Sequence, residues 1–73
     1  MIVFSAHAMQ RIMARKISGL LVVETIKHPQ NIISGNRGRK LRRRKFSDKI
    51  LEVVTITERS TITVVTQYWL DEG

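Results

Sequence analysis

The sequence predicts an α+β fold, with two N-terminal helices packed on one face of a three- to four-stranded antiparallel sheet. Three observations carry that prediction. Apolar residues recur at three- and four-residue spacing up to Lys16, and again from Gly19 to His28. Pro29 then closes the helical half, because it cannot continue a helix and pushes the residue before it out of helical geometry. Beyond it, Val, Ile and Thr dominate two stretches, Ile50 to Thr57 and Thr61 to Trp69, joined by the short link Glu58-Arg59-Ser60 as in a hairpin.

Taken in order, Ile2-Val3-Phe4 reads as a very short strand or an extended lead-in. Ser5 is placed to cap a helix running from Ala6 to Lys16. Ala8, Met9, Ile12 and Met13 form its expected buried face. His7, Arg11 and Arg15, each four residues after the last, form one polar stripe. Ile17 and Ser18 interrupt the pattern, and Ser18 caps a second helix from Gly19 to His28. Leu21, Val22 and Ile26 face inward there, with Leu20 beside them. The β-branched pair Val22-Val23 lowers helix propensity, so packing must hold this helix. His28 sits at its end, where the helix dipole favours a base.

The second half reads as β structure. Asn31-Ile32-Ile33-Ser34 is a short strand, Gly35-Asn36-Arg37-Gly38 a turn, Arg39 to Phe46 a strand pairing back, and Ser47-Asp48-Lys49 the next turn. Strand alternation puts Ile62, Val64, Thr66 and Tyr68 on one face of the last strand, and Thr61, Thr63, Val65, Gln67 and Trp69 on the other. The first set fits a strand that starts under the helices and ends in a cleft. The same alternation groups Leu41 with Arg43 and Lys45, and Phe46 with Arg42 and Arg44. Either group can face inward, and a bulge would permit both anchors.

Seventy-three residues make a single domain, 1–73. A chain of this size buries only about 60% of its unfolded surface. The absence of cysteine excludes disulfides and thiolate metal sites, while 42% hydrophobic residues suffice for a folded core. Self-association, as in a homodimer paired through an exposed edge strand, is one way to support so thin a core. No stretch approaches the ~20 apolar residues that cross a bilayer. The N-terminus lacks the features of a signal peptide, so the expected location is cytoplasmic, with no membrane partner.

Charge is the first functional clue. Thirteen Lys and Arg face six Asp and Glu, for a formal charge of +7. Seven of the thirteen are Arg37, Arg39, Lys40, Arg42, Arg43, Arg44 and Lys45, with no acid between them. Such a cluster repels itself unless an anion neutralises it. RNA is the expected partner, bound by these seven and Arg15. Against this stands a purely structural reading, an edge strand kept soluble by its charge.

The chemistry-bearing residues fit the same partner. The two histidines lie far apart and the six acids are scattered, so no metal site is expected. No glycine-rich loop joins a strand to a helix, so no cofactor is expected either. His, Arg, Thr and Tyr remain, and these can cleave RNA without metal. His7 is the natural acid/base, because imidazole exchanges protons near neutrality. Arg11, one turn on, can grip the scissile phosphate through two hydrogen bonds. Thr66 and Tyr68 can donate to phosphate oxygens, and Tyr68 can stack on a base. Each has a plainer role as well: a solvated helix face for His7, Arg11 and Arg15, strand packing for Thr66 and Tyr68. Met9 and Met13 are expected in the core.

The stretch Phe4-Ser5-x-His7-Ala8-x-x-Arg11-x-x-x-Arg15-x-Ile17-Ser18 resembles the opening of proteins in the domain-of-unknown-function family 4258. The onward spacing to Val22 or Val23, Ile26 and Pro29, and the close Val64-Val65-Thr66-x-Tyr68, match as well. That family is similar to the ribonuclease-toxin group that includes barnase-like, EndoU-like, colicin-like and RelE-like folds. The resemblance implies two helices against a curved antiparallel sheet, and metal-independent RNA cleavage or a degenerate descendant of it. His7 and Arg11 fall on the helix motif, Thr66 and Tyr68 on the last-strand motif. The dense run of bases exceeds the family pattern. Three functions follow: an RNA-cleaving toxin-like enzyme, a non-catalytic nucleic-acid-binding module, or a protein whose basic strand docks an acidic antitoxin-like partner.

Overall fold

Each helix begins where a serine can satisfy its first free N–H groups. In the computed structural model, which describes residues 1–70, helix α1 (Ala6–Arg15) follows Ser5, whose Oγ accepts from the Ala8 N–H at 3.0 Å. Helix α2 (Gly19–Lys27) follows Ser18, whose Oγ accepts from the Leu20 N–H at 3.2 Å. Lys16 ends α1 in the left-handed conformation, with φ 55°. His28 caps α2, one residue before Pro29.

Five strands follow the pattern closely: β1 (Ile2–Phe4), β2 (Asn31–Ser34), β3 (Arg39–Phe46), β4 (Lys49–Glu58) and β5 (Thr61–Trp69). They form one sheet in the order β1-β5-β4-β3-β2. The sheet has five strands rather than three or four, and it is mixed rather than antiparallel, because β1 runs parallel to β5. The reason is backbone satisfaction. The lead-in lies along the outer edge of β5, the Met1 ammonium donates to the Ser60 carbonyl at 2.7 Å, and the Ser5 N–H donates to Val64 at 3.0 Å. Ile2 and Phe4 pack against the core on that edge. The β3–β4 and β4–β5 links contract to two-residue turns, Ser47-Asp48 and Arg59-Ser60. Their first residues take φ 62° and 56°, as tight hairpins require.

The core lies between the helices and one sheet face. Ala8, Ile17, Val22 and Ile26 meet Leu51, Val53 and Val64, with Leu21, Phe46, Ile62 and Trp69 around them. The expected inward face of α1 is narrower than its apolar pattern. Met9 and Met13 are 50% and 78% exposed, and Leu20 on α2 is 82% exposed. The cause is position: α1 packs on β5, beyond which only the three-residue β1 continues the sheet, whereas α2 packs over β4 and β3. Only Ala8 is fully covered on α1.

The last strand does not keep one alternation. β4 and β5 pair Thr55 with Val64 but Val54 with Thr66, leaving Val65 as an extra residue. Ile62 and Val64 face the helices, and after the bulge Gln67 and Trp69 do. Thr66 and Tyr68 therefore lie on the opposite, open face and not on the face of Val64. In β3 no bulge is needed. Phe46 faces the helices together with Arg42 and Arg44, while Leu41, Arg43 and Lys45 face away.

Candidate nucleic-acid interface

Alternation along β3 divides the basic run into two sets with different fates. On the helix side, Arg42 donates from Nε to the Thr55 hydroxyl at 3.1 Å and from a terminal nitrogen to the Ile26 carbonyl at 3.2 Å. Arg44 donates to the His28 carbonyl at 2.8 Å and lies 5.7 Å from the centre of the Phe46 ring. These carbonyls end α2, where intrahelical donors run out and the dipole favours cations. Two arginines that read as ligand-binding thus also tie the sheet to the end of α2. Lys40, on the same side, donates to the Ser34 hydroxyl at 3.2 Å and stays exposed.

On the open face, strand register assembles a polar row across four strands. Asn31 on β2 pairs with Arg43 on β3, Arg43 with Glu52 on β4, and Glu52 with Tyr68 on β5. Glu52 is only 3% exposed. A buried carboxylate needs partners, and it has two: the Arg43 Nε at 2.5 Å and the Tyr68 hydroxyl. Burial, then the hydrogen bond to Glu52 and the Glu52 charge, push the Tyr68 phenol up to about 12. Arg43 and Arg15 pull in the other direction. Arg15 arrives from α1 and donates to the Gln67 carbonyl at 3.2 Å, on the stretch of β5 beyond the end of β1. The row that starts at Asn31 therefore ends beside the polar stripe of the first helix.

The remaining candidates fall around this row. His7 and Arg11 are exposed on α1. Their four-residue spacing sets them on the same side as Arg15. Neither hydrogen-bonds to Thr66 or Tyr68. Thr66 lies one row along from Tyr68, opposite Val54. The Tyr68 hydroxyl donates its hydrogen bond to Glu52, so in this arrangement it offers a ligand an aromatic face for stacking and no free donor for a phosphate. Arg37 stands in the left-handed region (φ 60°) within the short 3-10 turn Asn36–Gly38, and Arg39 and Lys45 lie on the open side of β3. No enclosed pocket opens among the described residues.

Glu52 is the residue that sequence reasoning missed. It is an acid set inside the apolar stretch Leu51-Glu52-Val53-Val54. A two-residue turn at Ser47-Asp48 fixes its partner as Arg43, so half of the cluster was available from counting. The bulge at Val65, which brings Tyr68 rather than Gln67 opposite Glu52, leaves no such signal.

The family described as Domain of unknown function (DUF4258) matches residues 4–69. The chain belongs to it. The match takes in the serine-capped helix motif and the last strand up to Trp69, so the polar row and the α1 stripe both lie within the DUF4258 domain. No curated protein and no solved structure matches the chain.

Proposed function

We propose that this DUF4258 protein binds RNA across the open face of its sheet and cleaves it without metal, in the manner of ribonuclease toxins. One observation carries the reading: Tyr68 lies in the field of cations from two directions, Arg43 on β3 and Arg15 on the helix that also bears His7 and Arg11. Cleavage at a ribose 2′-hydroxyl needs a base, cations for the crowded phosphorane, and an acid for the leaving oxygen. His7 supplies the proton transfers, Arg11 and Arg15 the charge, and Tyr68 a surface for a base. Thr66 donates to a phosphate oxygen from the adjoining row. Arg37, Arg39, Lys40 and Lys45 draw the strand in.

The test is incubation of purified protein with mixed RNA in chelator, followed by analysis of the ends. Cyclic phosphate termini, lost in His7→Ala, are the expected result. Intact RNA that is nevertheless bound would leave a non-catalytic binding module, a reading favoured by the engagement of the Tyr68 proton with Glu52.

A third reading, docking of an acidic antitoxin-like protein, draws on β2. This outermost strand is exposed throughout, uncharged, and beside the basic β3. The same edge joining two copies in a homodimer would bring two basic strands together, which their charge opposes. Among the described residues no helix is long and apolar enough to cross a membrane. A cytoplasmic site of action suits an RNA substrate.

A further inference from the structure

Arg43 is held by one of its three nitrogens. Its Nε donates to the buried Glu52 carboxylate, while its terminal amino groups donate to no other side chain among the described residues. The side chain is 34% exposed, whereas that of Glu52 is 4% exposed. A guanidinium anchored in this way is no longer free to rotate, and its other edge is a planar fork suited to two oxygens of one anion. Tyr68, held by the other oxygen of the same carboxylate, stands two strands away in the same row, about 9.5 Å at the backbone.

From this geometry we infer that Arg43 is a receptor for a single phosphodiester group, oriented by Glu52, with Tyr68 as the platform for an adjoining base. Glu52 is a positioning residue: it touches no ligand and acts by fixing two that do. The identification of the ligand as RNA rests on the reading proposed above. The receptor itself does not, since inorganic phosphate presents the same oxygens.

The sign of one substitution separates this inference from general electrostatics. Replacing Glu52 by Leu adds one unit of positive charge. If the sheet face bound anions by charge alone, Glu52→Leu would tighten binding. If Glu52 orients a receptor, the same change weakens it, because Arg43 must then be immobilised on binding.

The experiment follows the arginine Nε–H resonances of labelled protein during titration with inorganic phosphate. A second titration uses a dinucleoside monophosphate whose first sugar is 2′-deoxy and hence uncleavable. The Arg43 signal should move and saturate with both, more tightly with the dinucleotide. Folded Glu52→Leu, and Arg43→Lys, which keeps the charge but loses the fork, should each weaken dinucleotide affinity about tenfold. Unchanged or tighter binding by either variant would overturn the inference. Should Glu52→Leu fail to fold, Arg43→Lys decides alone. Phosphate binding at Arg43 with no affinity for RNA would sink the RNA reading only, whereas RNA binding indifferent to Arg43→Lys would sink the receptor only.

Discussion

Arg42 reaches from the middle of β3 to the Ile26 carbonyl, 3.2 Å away at the end of α2, and so ties the helix layer to the sheet. Its second bond, to the Thr55 hydroxyl at 3.1 Å, lies over a residue with no exposed surface. Arg42→Met keeps the aliphatic stem and removes both bonds. Hydrogen bonds from charged donors contribute about 1.5–3 kcal/mol each, so the variant should lose about 2 kcal/mol or more of stability. The single tryptophan, Trp69, which packs edge-on to Phe46 with ring centres 6.3 Å apart, reports unfolding in urea. RNA affinity should fall no further than in Lys45→Ala. A variant as stable as the wild type but unable to bind would return Arg42 to the ligand surface.

The division of the basic run sets the salt dependence of binding. With Arg42 and Arg44 engaged at the end of α2, the cations left for phosphate are Arg37, Arg39, Lys40, Lys45, the fork of Arg43, and Arg15. About six contacts to single-stranded RNA imply a log–log slope of roughly −4, at about −0.7 per phosphate. Fluorescence anisotropy between about 50 and 200 mM salt, over which affinity should fall by roughly 2.5 decades, measures it. A slope near zero would mean that the charge serves something other than a polyanion.

Most element boundaries were legible because short-range chemistry dictates them: two serine caps, one proline stop, and β-branched strands joined by tight turns. Besides the parallel pairing of β1 with β5, three features were not, and each depends on where an element sits in the whole. Met9 and Met13 continue the helical pattern of Ala8 and Ile12, yet α1 lies beside the margin of the sheet, where little remains to cover them. Val65 is a residue like its neighbours, and only the closed register of β4 and β5 reveals it as the bulge that turns Thr66 and Tyr68 to the open face. The basic strand offered two equivalent orientations. In the fold Phe46 joins the core, and Arg42 and Arg44 on the same face reach carbonyls at the end of a helix distant in sequence. In the candidate site, the residue types were legible and the partnership was not, because Glu52 joins Arg43 to Tyr68 across three strands.

Tyr68 is the single tyrosine of the chain, so its ionisation can be followed by ultraviolet absorbance without overlap. Burial and the bond to Glu52 move its midpoint from 10.0 to about 12. The raised value means that the folded state keeps a proton which the unfolded state releases. The stability from this group is complete below pH 10 and is lost as pH rises through about 12. Tyr68→Phe should flatten the alkaline part of the stability profile, and Glu52→Gln should lower the midpoint of the phenol. A midpoint near 10 in the folded protein would show that Glu52 and Tyr68 do not hold each other in solution.

Gln67 makes the counter-case, a buried polar group whose removal should help. It has no exposed surface, its Nε2 donates to the Ala8 carbonyl at 2.9 Å, and its Oε1 has no hydrogen-bond partner among the described residues. An unsatisfied buried acceptor costs about 1–3 kcal/mol, whereas one amide hydrogen bond contributes about 1 kcal/mol. The Ala8 carbonyl also sits inside α1, where the helix supplies a donor four residues on. Gln67→Met, close to it in volume, should therefore leave stability unchanged or raise it by about 1 kcal/mol, seen as a higher urea midpoint at constant slope. Phosphate binding at Arg43 should be unaffected, because Gln67 faces the helices and the receptor faces away from them. A loss of more than about 1 kcal/mol would mean that the amide oxygen is satisfied after all, by ordered water beneath α1.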